Sequence, residues 1–129
     1  MIISRTPFRI SFAGGGTDLR DFYSLEQGSV VSAAIDKYMY ICVNKRFDHT
    51  IRVSYSKTEN VERAEDIQHP IVRECMRISG VDGGVEITSV ADIPSGTGLG
   101  SSSSFTVGLL HALYAYKGVH VTPDKLASR

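Results

Sequence analysis

The chain has 129 residues, with 14 Lys and Arg balanced by 14 Asp and Glu, and 42% of its residues are hydrophobic. That length suits one domain able to bury roughly two thirds of its unfolded surface. A formal net charge of zero supplies no long-range attraction to nucleic acid or to an anionic membrane, so any anion site has to be built locally.

No stretch approaches the roughly 18 apolar residues of a membrane span. The start M-I-I-S-R lacks the apolar block of a signal peptide. Cys42 and Cys75 have neither metal-ligand spacing nor the company a disulfide framework needs. Together these features predict a cytoplasmic protein with buried free thiols and with no nucleic-acid or membrane partner.

In chain order, Ile2 to Arg5, Phe8 to Phe12, Ser29 to Ile35, Tyr38 to Asn44 and Ile51 to Tyr55 are alternating or β-branched segments that predict strands. Asp36 and Lys37 suit a hairpin turn, and F-D-H-T at Phe47 to Thr50 a second, which implies antiparallel neighbours. Glu59 to Asp66 is expected to be solvated, His49, His69, His111 and His120 to be ordinary structural residues, and Tyr38 and Tyr40 to pack on a strand. From Pro70 the spacing of Ile71, Val72, Cys75, Met76 and Ile78 becomes helical, with Pro70 fit for a first turn and Gly80 for a stop. Val85, Ile87 and Ser89 alternate as a further strand. Phe105, Leu109, Ala112, Leu113 and Tyr116 then mark a helix closed by Gly118. The fold class is α+β, with a mixed, mostly antiparallel sheet and helices packed on one face. Thr122, Pro123, Asp124 and Leu126 have the pattern of a helix start, although only seven residues follow Thr122, which predicts that residues 1–129 are the N-terminal part of a longer protein.

Between the last strand and its helix lies P-S-G-T-G-L-G-S-S-S-S-F, Pro94 to Phe105. Gly96, Gly98 and Gly100 can take φ > 0 and let backbone N–H groups converge on a ligand. The following helix aims its positive end at the same place, and Ser101 to Ser104 add hydroxyls able to donate to phosphate oxygens or to ligate Mg²⁺. A capped turn would require only one of these serines. A P-loop would need Lys before its Ser or Thr, yet no lysine lies between Lys57 and Lys117. The glycines read G-x-G-x-G, and the next acidic residue is Asp124, so the dinucleotide fingerprint fits poorly.

A second glycine cluster ends R-T-P-F-R-I-S-F-A-G-G-G-T-D, Arg5 to Asp18. Alternation puts Phe8, Ile10 and Phe12 on one face and Arg9 and Ser11 on the other. Arg9 could neutralise a phosphoryl group and Asp18 could accept from substrate hydroxyls. The competing reading makes Arg9 a surface residue and Asp18 a local cap.

Together the two motifs resemble those of the galactokinase, homoserine kinase, mevalonate kinase and phosphomevalonate kinase family. The family's P-x-x-x-G-L-G-S-S-A signature is similar to Pro94 to Ser103, with Ser103 where the family usually has alanine. The N-terminal wording is closest to that of its heptose sugar kinases. The resemblance implies the family's N-terminal domain, whose fold type is shared with a ribosomal domain, and an ATP-dependent sugar or sugar-phosphate kinase acting on a heptose 7-phosphate-like substrate. It further implies ATP held by Pro94, Gly96, Thr97, Gly98, Leu99, Gly100, Ser101, Ser102 and Ser103, with Mg²⁺ on Ser102. Arg9 would lie at the transferred phosphate, and Gly15, Gly16, Thr17 and Asp18 would bind substrate. In the family the catalytic aspartate and a third glycine motif come later, so the resemblance also implies an absent C-terminal domain and poor phosphoryl transfer by residues 1–129 alone. A homodimer is the open expectation for assembly, and a non-catalytic nucleotide- or nucleic-acid-binding module of the same fold type is the alternative.

Overall fold

The structure is a computed structural model that describes residues 1–127. Five strands form one sheet in the order β1-β2-β5-β3-β4, where β1 is Ile2–Ala13, β2 Val31–Lys45, β3 Ile51–Ser54, β4 Thr58–Val61 and β5 Val85–Ala91. All neighbours are antiparallel except β3 and β5, which run parallel. Helices α1 (Arg20–Tyr23), α2 (Pro70–Ser79), α3 (Ser101–Tyr116) and α4 (Pro123–Ala127) complete the described chain. The α+β class and the mostly antiparallel sheet are as the sequence predicts.

One face of the sheet carries the core. Phe8, Ile41, Val43, Ile51, Val85 and Ile87 are buried there against Val72 and Met76 of α2 and Leu109 and Leu113 of α3. The helical face of α2 follows the expected spacing, and Gly80 caps it in the left-handed region at φ 66°. Lys117 Nζ donates to the carbonyls of Ser79 (3.1 Å) and Gly80 (3.2 Å), placing a cation on the negative end of α2.

Helix α3 lies close to β1 because Gly108 leaves room. Ser4 Oγ donates to the Gly108 carbonyl at 2.8 Å, and a Cβ on Gly108 would stand 2.8 Å from Thr6 Oγ1 and 3.4 Å from Ile41 Cγ1. Gly108→Val is expected to cost about 1–2 kcal/mol through overpacking, despite better helix propensity, as chemical denaturation will show. Cys75 is buried, and burial pushes its thiol up to about 12. Half-exposed Cys42 should therefore react with a chromogenic disulfide at pH 8 while Cys75 reacts only on unfolding, whereas two equally fast thiols would contradict this packing.

The strands depart from expectation in four places. β1 runs unbroken through Pro7, which an edge strand tolerates because no neighbour needs its missing N–H. β2 runs straight through Asp36 and Lys37, so no hairpin forms there. Instead the register jumps between Pro7↔Tyr38 and Arg9↔Ala34, a bulge that absorbs Asp36 and Lys37. The turn at Phe47 to Thr50 exists, and Asp48 Oδ1 accepts from Arg46 Nε at 3.0 Å and Thr50 N at 3.1 Å, bonds that hold its carboxyl well below the usual carboxylate range. It joins β2 to β3, however, and β5 has inserted between them. Finally, Thr58–Val61 forms β4 within the stretch expected to be solvated.

Beyond the helices, the β1–β2 ribbon stands clear of the core. Phe12 is 68% exposed, not buried with Phe8, and Leu19, Tyr23, Leu25 and Val31 are exposed in the same region.

Candidate functional site

The glycine-serine loop is held at both ends. At its start, Tyr38 N–H donates to Asp92 Oδ2 at 2.8 Å and Asp92 N–H to the Tyr38 carbonyl at 3.0 Å, tying the end of β5 to β2. At its finish, Arg9 N–H donates to the Leu99 carbonyl at 3.2 Å, while Leu99 packs on the core. Between these anchors Gly96 (φ 83°), Gly98 (φ 73°) and Gly100 (φ 76°) all take the left-handed conformation. No atom lies within 4 Å of where a Cβ would stand on Gly96 or Gly98, so this stretch of backbone is open to an approaching ligand.

Helix α3 starts at Ser101, four residues before the apolar periodicity begins, and Gly100 is its N-cap. No side chain caps it. The Ser104 N–H bonds back to the Gly100 carbonyl at 2.9 Å, which leaves the N–H groups of Ser101, Ser102 and Ser103 at the helix's positive end without an intrahelical acceptor. The serines divide by role. Ser104 is buried and its Oγ donates to the Pro7 carbonyl at 3.0 Å, fastening α3 to β1. Ser102 and Ser103 are exposed and Ser101 half-buried.

Arg9 completes this corner. A Cβ on Gly100 would lie 3.3 Å from Arg9 Cγ and Cζ, so the guanidinium rests against the N-cap of α3. Among the described residues it pairs with no carboxylate. The two sequence motifs thus meet at Arg9 and Gly100.

Gly15 to Asp18 lie past the end of β1, which rises about 13 Å over the four steps from Arg9 to Ala13. Thr17 Oγ1 is bonded to the carbonyls of Gly14 (2.7 Å) and Ser29 (3.1 Å) and accepts from Ser29 N–H (3.1 Å). Asp18 Oδ1 accepts from Gly16 N–H at 3.0 Å, and its carboxylate is exposed. Thr17 therefore closes the loop, and Asp18 is the group of this motif that faces solvent.

A cavity of about 430 Å³ adjoins the glycine loop, lined by Pro94, Ser95 and Ser101 together with Met39, Tyr55, His69 and Phe105. The His69 ring stacks on Phe105 with centroids 5.2 Å apart and meets Tyr55 edge-on at 4.8 Å. Its Nδ1 accepts from Val72 N–H at 3.4 Å, as the N-cap of α2. Beneath it, Glu59 accepts from Tyr55 OH at 2.7 Å, Gln68 N–H at 2.6 Å and His69 N–H at 3.2 Å. Burial would raise the Glu59 carboxyl, but the bonds from Gln68, Tyr55 and His69 outweigh it and hold the group below its usual range. The same bond raises the Tyr55 hydroxyl. The sequence alone reads Glu59 as solvated and His69 as an ordinary structural residue, and the one local signal of this cluster is that His69 directly precedes Pro70.

Among the described residues no three His, Cys, Asp or Glu side chains converge as a metal cage. Mg²⁺ keeps several waters and needs only one or two protein oxygens when phosphates supply the rest, and the exposed Ser102 hydroxyl at the start of α3 is an oxygen of that kind. No helix of the described residues is long and apolar enough to cross a membrane.

Comparisons with known proteins bear on the family and the fold. The family described as GHMP kinases N terminal domain matches residues 64–129. A D-glycero-alpha-D-manno-heptose 7-phosphate kinase of Campylobacter jejuni is 30% identical over 128 residues, covering 86% of this chain and 36% of that protein. A galactokinase of Chloroflexus aggregans is 28% identical over 140 residues, covering 97% of this chain and 34% of that protein. The crystal structure of a D-glycero-D-manno-heptose 1-phosphate kinase from Bacteroides thetaiotaomicron shares the fold, with a TM-score of 0.85 at 20% identity over 99% of this chain and 46% of that one. The chain spans about a third of the length of the curated relatives it matches. With the family model matching residues 64–129 and the Campylobacter relative 30% identical over 86% of this chain, the chain belongs to the family of GHMP kinase N-terminal domains.

Proposed function

We propose that residues 1–129 form the ATP-binding part of a sugar or sugar-phosphate kinase, in which MgATP gives its terminal phosphoryl group to a sugar hydroxyl. The observation that carries this reading is the uncapped N-terminus of α3, entered through three left-handed glycines with Arg9 against the cap. Backbone N–H groups and a helix dipole attract an anion there, and a polyphosphate occupies several of them at once.

In this reading Pro94 to Ser103 wrap the phosphates, Ser102 offers its hydroxyl to Mg²⁺, and Arg9 neutralises charge on the phosphoryl group in transit. Mg²⁺ supplies charge neutralisation and orientation when bound. Asp18, past the end of β1, binds hydroxyls of the acceptor. A heptose phosphate is the favoured acceptor, since the Campylobacter relative is named for that substrate, with galactose-like sugars next. The catalytic base would belong to a second domain beyond residue 129.

Calorimetric titration with tripolyphosphate and with ATP tests the reading. Both should bind residues 1–129, and raising salt from 50 to 500 mM should weaken both through screening. Phosphoryl transfer to sugars by these residues alone should fall far below the roughly 1–100 s⁻¹ of kinases. Salt-sensitive RNA binding without binding of either polyphosphate would favour the non-catalytic module instead.

A further inference from the structure

We infer that Ser104 is a positioning residue for Arg9: its hydroxyl, bonded to the Pro7 carbonyl, sets the start of α3 against β1 so that the guanidinium and the first N–H groups of the helix face one anion. The inference rests on the phosphate reading of that corner.

Pairing within the sheet does not by itself fix where Arg9 goes. The β1–β2 ladder runs in register from Ile2↔Val43 to Pro7↔Tyr38, breaks at Phe8 and resumes at Arg9↔Ala34, passing over Ile35, Asp36 and Lys37. A break of this kind bends a strand and re-aims the side chain beside it. Three contacts hold β1 where the ladder lets go: Phe8 is fully buried, Arg9 N–H donates to the Leu99 carbonyl at 3.2 Å, and Ser104 Oγ donates to the Pro7 carbonyl at 3.0 Å. The last two come from either side of Gly100, the residue against which the Arg9 guanidinium rests. Ser104 N–H also closes the first turn of α3 on the Gly100 carbonyl at 2.9 Å, so one residue ties that turn to the strand that carries Arg9. A serine inside a helix commonly turns its hydroxyl onto the preceding turn or out to water. This one is 5% exposed and reaches across to another element. One turn farther along α3, Ser4 Oγ donates to the Gly108 carbonyl at 2.8 Å, a second tether between the same two elements that provides an internal control.

Titration calorimetry with tripolyphosphate on residues 1–129 tests the inference through a double-mutant cycle of Ser104→Ala and Arg9→Ala. With Arg9 present, Ser104→Ala should weaken binding about fivefold; with Arg9→Ala already made, it should change affinity less than about twofold, because the group it positions is gone. Ser104→Cys fills nearly the same space with a poor donor, so it should behave as Ser104→Ala does and serves in the cycle if that variant does not fold. Ser4→Ala should lower stability and leave affinity unchanged, with circular dichroism melts establishing that each variant is folded. A loss that persists in full without Arg9, an equal loss from Ser4→Ala, or wild-type affinity in Ser104→Cys would each overturn the inference. Wild-type protein that does not bind tripolyphosphate removes the phosphate reading and this inference with it, whereas binding indifferent to Ser104 removes the inference alone.

Discussion

Gly100→Val is expected to weaken tripolyphosphate binding about a hundredfold while the core stays folded. Gly100 takes φ 76°, where a side chain costs about 1–2 kcal/mol and a β-branched one is a true outlier. Its new Cβ would also stand 3.3 Å from Arg9 Cγ and Cζ, so the guanidinium has to leave the corner. Because Gly100 is the N-cap of α3, relieving the strain swings the N–H groups of Ser101 to Ser103 away from the point where they converge. Backbone geometry and cation are thus lost in one step. Gly96→Ala provides the contrast: it shares the positive φ, but its Cβ enters open space, so a loss nearer threefold is expected. Titration calorimetry, with thermal melts as the control for folding, reads both. Wild-type affinity in Gly100→Val would show that the phosphates do not sit at this helix end.

The parts of the site legible in the sequence are those written in local chemistry. Three alternating glycines followed by serines announce a loop that opens a helix, and the loop does so at Gly100. Pro70 and Gly80 bracket α2 where they should. What stayed hidden depends on partners far along the chain. Asp36 and Lys37 carry turn chemistry, but a bulge opposite Phe8 and Pro7 uses them without reversing the strand. Nothing in Ile51–Ser54 reveals that β5, over 30 residues later, will separate it from β2 in a parallel pairing, because alternation fixes which face is buried and says nothing about which strand is the neighbour. Ser104 resembles its three predecessors in sequence; it differs only because the helix turns its hydroxyl onto Pro7. The union of Arg9 with Gly100 is likewise a product of the sheet, since β1 carries Arg9 to the loop from more than 90 residues away.

Glu59 illustrates how much a charge run can conceal, and its removal is the second large effect expected. Its carboxylate joins the β3–β4 hairpin to the entrance of α2 by accepting from Tyr55, Gln68 and His69. Glu59→Ala strands two backbone donors and a hydroxyl, and with water able to repair part of the loss at a half-exposed site the cost should be about 2–3 kcal/mol. For a domain of this size that is a fall of roughly 10 °C in Tm. Glu62→Ala, three residues on and exposed, should stay within about 0.5 kcal/mol of wild type. The pH dependence carries a definite sign. The folded state lowers the Glu59 carboxyl from its ordinary value of 4.5, so its contribution is fully present above that pH and disappears as pH falls through the lower folded value. Urea melts of wild type and Glu59→Ala should therefore lie well apart at pH 7 and draw together below about pH 4, as protonation does to the wild type what the substitution has done already. A gap that held constant down to pH 3 would mean that the three bonds contribute through the shape of the side chain and not through its charge.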